Sequence, residues 1–210
     1  TDMVHVQFGM VSYEGQPLST RHGHVVFLAD VIENTVEKAR RIIEEKNPEL
    51  PDKDGVAESV GVGAVMFFAL GTQRIKDVDF NYDKVLSFEG ETAPYLQYTH
   101  ARCESVISKG GGRPKTFDPA LLTDNEAYAV VRMLDAFRET VAEAAEKYEP
   151  YLISRAVIDI CSCFNKFYYD NRIMDDDTAV RNARLALTEA ARTAIRTGLF
   201  LVGLEAPERM

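Results

Sequence analysis

Three groups of side chains in this 210-residue sequence have the types and spacing to do chemistry. On a helix turning roughly 100° per residue, Cys161, Asn165, Tyr168 and Arg172 fall within an arc of roughly 60°, with Tyr169 further round. An amide, a phenol and a guanidinium in a row can hydrogen-bond to an unpaired base and stack on it. Further on, Arg181, Arg184, Arg192 and Arg196 share an arc of roughly 120°, and guanidinium groups on one face suit phosphate oxygens. The third group lies in "PLSTRHGHVVFLAD", where Ser19, Thr20 and Arg21 precede His22 and His24 in a glycine-containing turn. Hydroxyls, backbone amides and a guanidinium can grip a phosphate there. Two imidazoles make half a zinc site, and no further ligand follows at the required spacing, so no metal is expected. Each group also has a plain reading: a boundary stripe over a neighbouring helix, a solvated face with local acid partners, and a surface loop.

The elements that must position these groups are mostly helical. "VHVQFGMVSYEGQPL" alternates imperfectly around Glu14-Gly15 and predicts a strand entering a turn. Asp30 with Glu33 resembles an N-cap pair, opening an amphipathic helix on Val31, Val36, Ile42 and Ile43 that ends near Asn47-Pro48. "DGVAESVGVGAVMFFAL" predicts a second helix despite its glycines. "DVDFNYDKVLSF" is irregular and then helical. A helix from Pro94 stops before Gly110-Gly111-Gly112, and that glycine run, with Pro114 and Pro119 beyond it, is the clearest loop. A capping box from Thr123 to Glu126 opens a helix on Val130, Val131, Leu134, Phe137 and Val141, broken at Glu149-Pro150. The next helix runs from about Tyr151 to Arg172, with Leu152, Ala156, Ile160, Phe164 and Phe167 as its core stripe. The last follows Asp175-Asp176-Asp177, whose carboxylates suit a helix start. It runs to about Gly203, with Ala183, Leu187, Ala190 and Ala194 inward.

The composition is 46% hydrophobic, enough for one large or two small cores. The net charge of −9 argues against a generally nucleic-acid-binding surface. The imbalance is local, however: residues 151–210 carry 8 Lys and Arg against 8 Asp and Glu, so the whole deficit lies before them. The cysteines, 3 in all, imply no disulfide scaffold and a reducing, cytoplasmic setting. No apolar run reaches a membrane span, and no basic-then-apolar leader is present. Thr1 is not an initiator residue, so a fragment of a longer protein is expected.

Several long strings, in order along nearly the whole chain, carry a resemblance. "LSTRHG" with "VVFLADVIENTVEKARRIIEEKNP" resembles the region after the catalytic core of arginyl-tRNA synthetases. "VGVGAVMFFAL" and "LSFEGETAPYLQYTHAR" resemble later segments of that family, and "FNKFYY" and "GLEAPERM" its anticodon-binding domain and C-terminus. The resemblance implies a mainly α fold: a small β element and the tail of a class I catalytic domain, then an all-α anticodon-binding helix bundle. Residues 1–80 would be the catalytic tail and connector helices, and residues 81–210 the anticodon-binding domain.

The same resemblance implies a function. Family members activate arginine with ATP, supplied with Mg, and transfer it to arginine tRNA. Pro17-Leu18-Ser19-Thr20 occupies the place of the Lys-Met-Ser-Lys-type loop but has neither lysine. Ser19, Thr20 and Arg21 are then the catalytic candidates, and with His22 the ATP-binding ones; Arg21 can supply the cation. The family's His-Ile-Gly-His signature and arginine pocket are not in this sequence, so the chain alone is expected not to form the adenylate and to require the N-terminal catalytic part. Asn165, Tyr168, Tyr169, Arg172, Arg181, Arg184, Arg192, Arg196 and Met210 are the tRNA-binding candidates, with Phe167 in the core. Residues Gly90 to Arg102 are expected to shape the connector and its tRNA-facing surface. The expected assembly is a cytoplasmic monomer. The alternatives are a freestanding tRNA-binding paralogue and a helical protein-interaction module.

Overall fold

The computed structural model describes residues 3–18 and 25–210. A three-stranded sheet sits at the front: β1 (Val11–Tyr13), β2 (Gln16–Pro17) and, later in the chain, β3 (Val78–Phe80), in the order β2-β1-β3. The hairpin of β1 and β2 turns through Glu14 and Gly15, both at positive φ. β3 pairs parallel to β1 with Val11 opposite Val78 and Tyr13 opposite Phe80. Two helices, α1 (Leu28–Lys46) and α2 (Lys53–Leu70), make the crossover between β1 and β3, as a parallel pair requires. The sequence reading missed β3, because three residues give alternation too little length to register. Pairing supplies what pattern lacks: Asp79 accepts from the Ser12 hydroxyl (2.6 Å) and the Gly15 amide (2.8 Å).

After the single turn α3 (Tyr82–Val85) come α4 (Ala93–Lys109), α5 (Asn125–Lys147), α6 (Tyr151–Asp170) and α7 (Thr178–Leu201), with a 3₁₀ turn at Pro119–Leu121 between α4 and α5. The helix boundaries follow local chemistry in three places. Asp52 caps α2 through the Gly55 amide, Thr92 caps α4 through the Tyr95 amide with Pro94 in the first turn, and Asp177 caps α7 through the Ala179 and Val180 amides. Two expected caps are corrected. α1 begins at Leu28, so Asp30 lies inside its first turn and not at the cap. The cap of α5 is Asp124, whose carboxylate makes no cap bond because it is turned to Arg184.

Buried side chains form two clusters. The smaller joins α1 to α2 through Ala39, Ile43, Ala57, Val60 and Ala64. The larger lies among α4 to α7 around Leu96, Ile160, Phe164, Phe167, Ile195 and Leu199. On α6 the expected stripe holds at Ile160, Phe164 and Phe167, but Ile153 and Val157 are buried where Leu152 and Ala156 are only partly so. On α7 the expected inward face is corrected more strongly. Ala190 is exposed, while Leu185, Ala191, Ile195 and Leu199 are buried, because α4, α5 and α6 all pack on this helix. Among the described residues no helix is long and apolar enough to cross a membrane.

Candidate nucleic-acid interface

The residues expected to share a surface do not all do so. A cleft of about 910 Å³ opens between α4, the end of α6 and the last residues of the chain, and Tyr168, Arg172 and Met210 line it. Arg181, Arg184, Arg192, Arg196 and Tyr169 are not among its lining residues. Cys161 is fully buried in the core beneath it. Ser19, Thr20, Arg21, His22 and His24, with the phosphate and metal readings attached to them, lie outside the described residues.

The centre of the cleft is a side chain that the sequence reading left in the connector. Arg102, on α4, lies between two rings, its guanidinium carbon 5.0 Å from the centroid of Tyr98 and 5.0 Å from that of Tyr168. Tyr98 and Arg102 stand one turn apart on α4, which puts them on one face. Both tyrosines keep about two-fifths of their surface exposed, 42% and 41%. The stack extends both ways. Tyr168 packs on buried Phe164 at 6.4 Å, Tyr98 meets Phe88 edge-on at 6.3 Å, and Lys46 sits 5.9 Å from the Phe88 centroid. From the end of α1 to the core of α6, each cation is thus followed by a pair of rings.

Asn165 serves this stack from below. Its Nδ2 donates to the Tyr95 hydroxyl (3.1 Å) and the Thr99 hydroxyl (2.9 Å), and its Oδ1 accepts from the Arg102 guanidinium. Burial raises the Tyr95 phenol above its usual value, so the hydroxyl stays protonated and its lone pair is free to accept from Asn165. The amide of Asn165 is engaged by these three side chains within the protein. Arg102 has no carboxylate partner among the described residues; its guanidinium is held by an amide and two ring faces and presented to the cleft. The i, i+4 pair of Tyr98 and Arg102 was a readable signal for it.

The arginines of α7 are occupied elsewhere. Arg184 donates to Asp124 (3.1 Å), Asp175 (3.1 Å) and the Arg172 carbonyl (3.1 Å), tying the start of α5 to the α6–α7 connection. Arg192 bridges Glu104 (2.6 Å) and Glu189 (2.7 Å). Arg181 donates to the Asp175 carbonyl and the Thr178 hydroxyl. Partly exposed carboxylates of the bundle thus hold Arg184 and Arg192. Arg196 is exposed on the same helix, and Arg172 pairs with Asp176 at the exposed rim, 3.0 Å apart. A rim pair of that kind contributes little to stability and exchanges readily.

The last wall of the cleft is the segment after α7. Gly203, at φ +77°, reverses the chain and lets the Leu204 amide reach the Leu199 carbonyl at 2.8 Å. Buried His100 contacts the Pro207 carbonyl through Nδ1 at 3.0 Å, while its Nε2 makes no hydrogen bond among the described residues and lies 3.7 Å from Glu104 Oε1. Burial lowers the pKa of this imidazole, outweighing the Pro207 carbonyl and Glu104, which favour the charged form; Arg192 and Arg196 add to the lowering. The unfolded imidazole takes up a proton as pH falls through its usual 6.5, whereas the native one takes it up only at a lower pH. Its neutral burial therefore costs nothing above that pH and progressively more below it. Denaturant unfolding at pH 7.5 and pH 5.5 is expected to reveal a loss of stability at the lower pH that His100→Asn reduces. An equal pH slope in the variant would remove His100 as the source.

Comparison with known proteins gives consistent matches. Residues 96–210 match the DALR anticodon binding domain, and residues 1–82 match the catalytic domain of tRNA synthetases class I (R). An arginine–tRNA ligase of Halothermothrix orenii is 48% identical over 210 residues, and one of Ligilactobacillus salivarius 46% over 209. Both matches take in all of this chain and 37% of the relative, so the chain spans little more than a third of the length of these proteins. The arginyl-tRNA synthetase of Thermus thermophilus superposes with a TM-score of 0.89 at 35% identity, covering 97% of this chain and 35% of that one. The enzyme of Plasmodium falciparum, at 22% identity and a TM-score of 0.79 over 98% of this chain and 35% of that one, shares the fold.

Proposed function

Because the chain belongs to the arginyl-tRNA synthetase family, carrying its DALR anticodon-binding domain and a stretch of its class I catalytic domain, we propose that it recognises the anticodon arm of arginine tRNA through the cleft around Arg102. One observation carries the reading: a guanidinium without a carboxylate partner among the described residues, fixed between two half-exposed tyrosine rings that line a large cleft with it. Splayed bases have π faces that stack on tyrosine and guanidinium planes, and a cation held there also attracts the phosphate backbone. Tyr168 and Tyr98 act as stacking surfaces, Arg102 as cation, and Met210 as an apolar wall, while Asn165 orients Arg102. Arg172 at the rim, and Arg196 and Tyr169 beyond it, are the remaining candidates for phosphate or base. The division into a catalytic tail over residues 1–80 and an RNA-binding domain over residues 81–210 belongs to the same reading.

In the longer protein the activity is ATP-dependent attachment of arginine to that tRNA. Ser19, Thr20, Arg21 and His22 would meet the phosphates of ATP, supplied with Mg, and Arg21 would offset charge on the departing pyrophosphate. The other catalytic groups come from the remaining part of the protein, which we take to be a cytoplasmic monomer.

The test is binding of arginine tRNA with its own and with an altered anticodon. Tyr168→Ala is expected to weaken binding of the native tRNA by about 1–3 kcal/mol through lost stacking. Discrimination between the two tRNAs should shrink by a comparable amount. Unchanged affinity in the variant, or equal affinity of the parent for both tRNAs, removes the cleft as the reading surface.

A further inference from the structure

The chain after α7 is irregular, yet side chains from two other helical elements grip it along its length. Gln97 Nε2 lies 3.0 Å from the Glu205 carbonyl and also reaches the carbonyl and hydroxyl of Ser59 on α2, at 3.2 and 3.3 Å. His100 Nδ1 holds the Pro207 carbonyl at 3.0 Å. Asn47, the residue closing α1, donates to the Met210 carbonyl at 3.0 Å. Met210 packs against the smaller cluster of α1 and α2 while also lining the cleft. Gln97 and His100 are essentially inaccessible, at 0% and 1% exposure. Buried amides and imidazoles need partners, and here the partners are carbonyls of a segment with no ladder of its own.

The spacing on α4 gives this grip a second consequence. Gln97 and His100 stand three residues apart on one face, and Tyr98 and Arg102 stand four apart on the adjacent face. One face of a single helix therefore holds the tail while the next carries the ring and cation of the cleft. We propose that residues 205–210 form a strap, that Gln97 and His100 are positioning residues which seat it, and that this seating sets the cleft's affinity for RNA through Met210. The proposal rests on the reading of the cleft as the RNA surface. Neither positioning residue touches RNA; each acts by fixing where Met210 stands.

The experiment is a double-mutant cycle in the 210-residue chain, using an anticodon stem-loop of arginine tRNA as the probe. Amide hydrogen exchange over residues 205–210 is followed in parallel. His100→Ala is expected to release the strap, with faster exchange in that segment, and to weaken stem-loop binding about fivefold, the equivalent of one lost hydrogen bond. Met210→Ala should weaken binding to a similar degree. The pair together should lose no more than either alone, because both act through one contact. A merely structural histidine would give losses that multiply. His100→Asn, which keeps a donor toward Pro207, should restore most of the affinity and serves if His100→Ala folds poorly. Released strap with unchanged binding, or multiplying losses, overturns the strap while leaving the cleft reading intact. Binding that is indifferent to Arg102→Ala overturns the cleft reading and the strap with it.

Discussion

Arg184→Ala is expected to lower the unfolding free energy of the chain by about 3 kcal/mol, the low end of the range for removing one partner of a buried ion pair. It should leave the RNA affinity of the folded protein unchanged. The guanidinium is 13% exposed, and its two carboxylate partners, Asp124 and Asp175, are 23% and 32% exposed, so water can compensate part of the loss. What it cannot replace is the connection: one side chain joins the cap residue of α5 to the loop between α6 and α7, where it also binds the Arg172 carbonyl. In a chain of this size the change corresponds to a fall in melting temperature of roughly 6–12 °C. Thermal unfolding and stem-loop titration on the same preparation decide the matter. A tenfold loss of affinity with unchanged melting would return Arg184 to the phosphate-binding face the sequence suggested.

Gly198→Val should destabilise the bundle by about 3 kcal/mol, at the upper end of the usual cost of overpacking. A Cβ built at Gly198 lies 2.1 Å from Val157 Cγ2 and 3.3 Å from Phe137 Cζ. Valine at 157 is branched at Cβ and cannot swing aside cheaply, and it is 1% exposed, so the helices must part. Gly198 is where α7 comes close to α6, and its cost in helix propensity is repaid by that approach. Truncating the opposing side chain gives the control. In the background of Val157→Ala, Gly198→Val should cost markedly less, a favourable coupling measured as the difference between denaturation midpoints. Equal stability of the parent and the single Gly198→Val variant would mean that the contact is not close in solution.

The helices of this protein were legible because their signals are local. The opening at Pro94, the aspartates ending at Asp177, the break at Glu149-Pro150 and the periodic stripe through Phe164 and Phe167 are each contained within a turn or two of chain. What misled the reading was competition from far away. Asp124 has the right residue type and place for a helix cap, but a guanidinium 60 positions later takes its carboxylate. Leu185 and Leu199, absent from the inward face read off the sequence, belong to the core, because α7 is covered on more than one side. The candidate site shows the same division. Tyr168 and Met210 were named as tRNA contacts from the sequence and line the cleft, whereas Arg102 was read only as the end of a segment shaping the connector and its tRNA-facing surface. Its importance comes from Asn165, 63 residues away, and from the rings of Tyr98 on its own helix and Tyr168 on another. Asn165 was read as a base contact, and its amide bonds to Tyr95, Thr99 and Arg102 within the protein.

The contact between α1 and α2 has a mechanical meaning. A Cβ at Gly61 would sit 2.6 Å from the Val36 Cα, and Ala39, Ala57 and Ala64 pack in the same seam, so the helices meet almost backbone to backbone. With no thick layer of side chains to compress, the pair is stiff, a lever about 28 Å long for the 19 residues of α1. One end leaves the front of the molecule at Phe27; the other ends at Asn47, whose amide holds the carbonyl of Met210. The same rod that packs closely on α2 therefore also anchors one wall of the cleft.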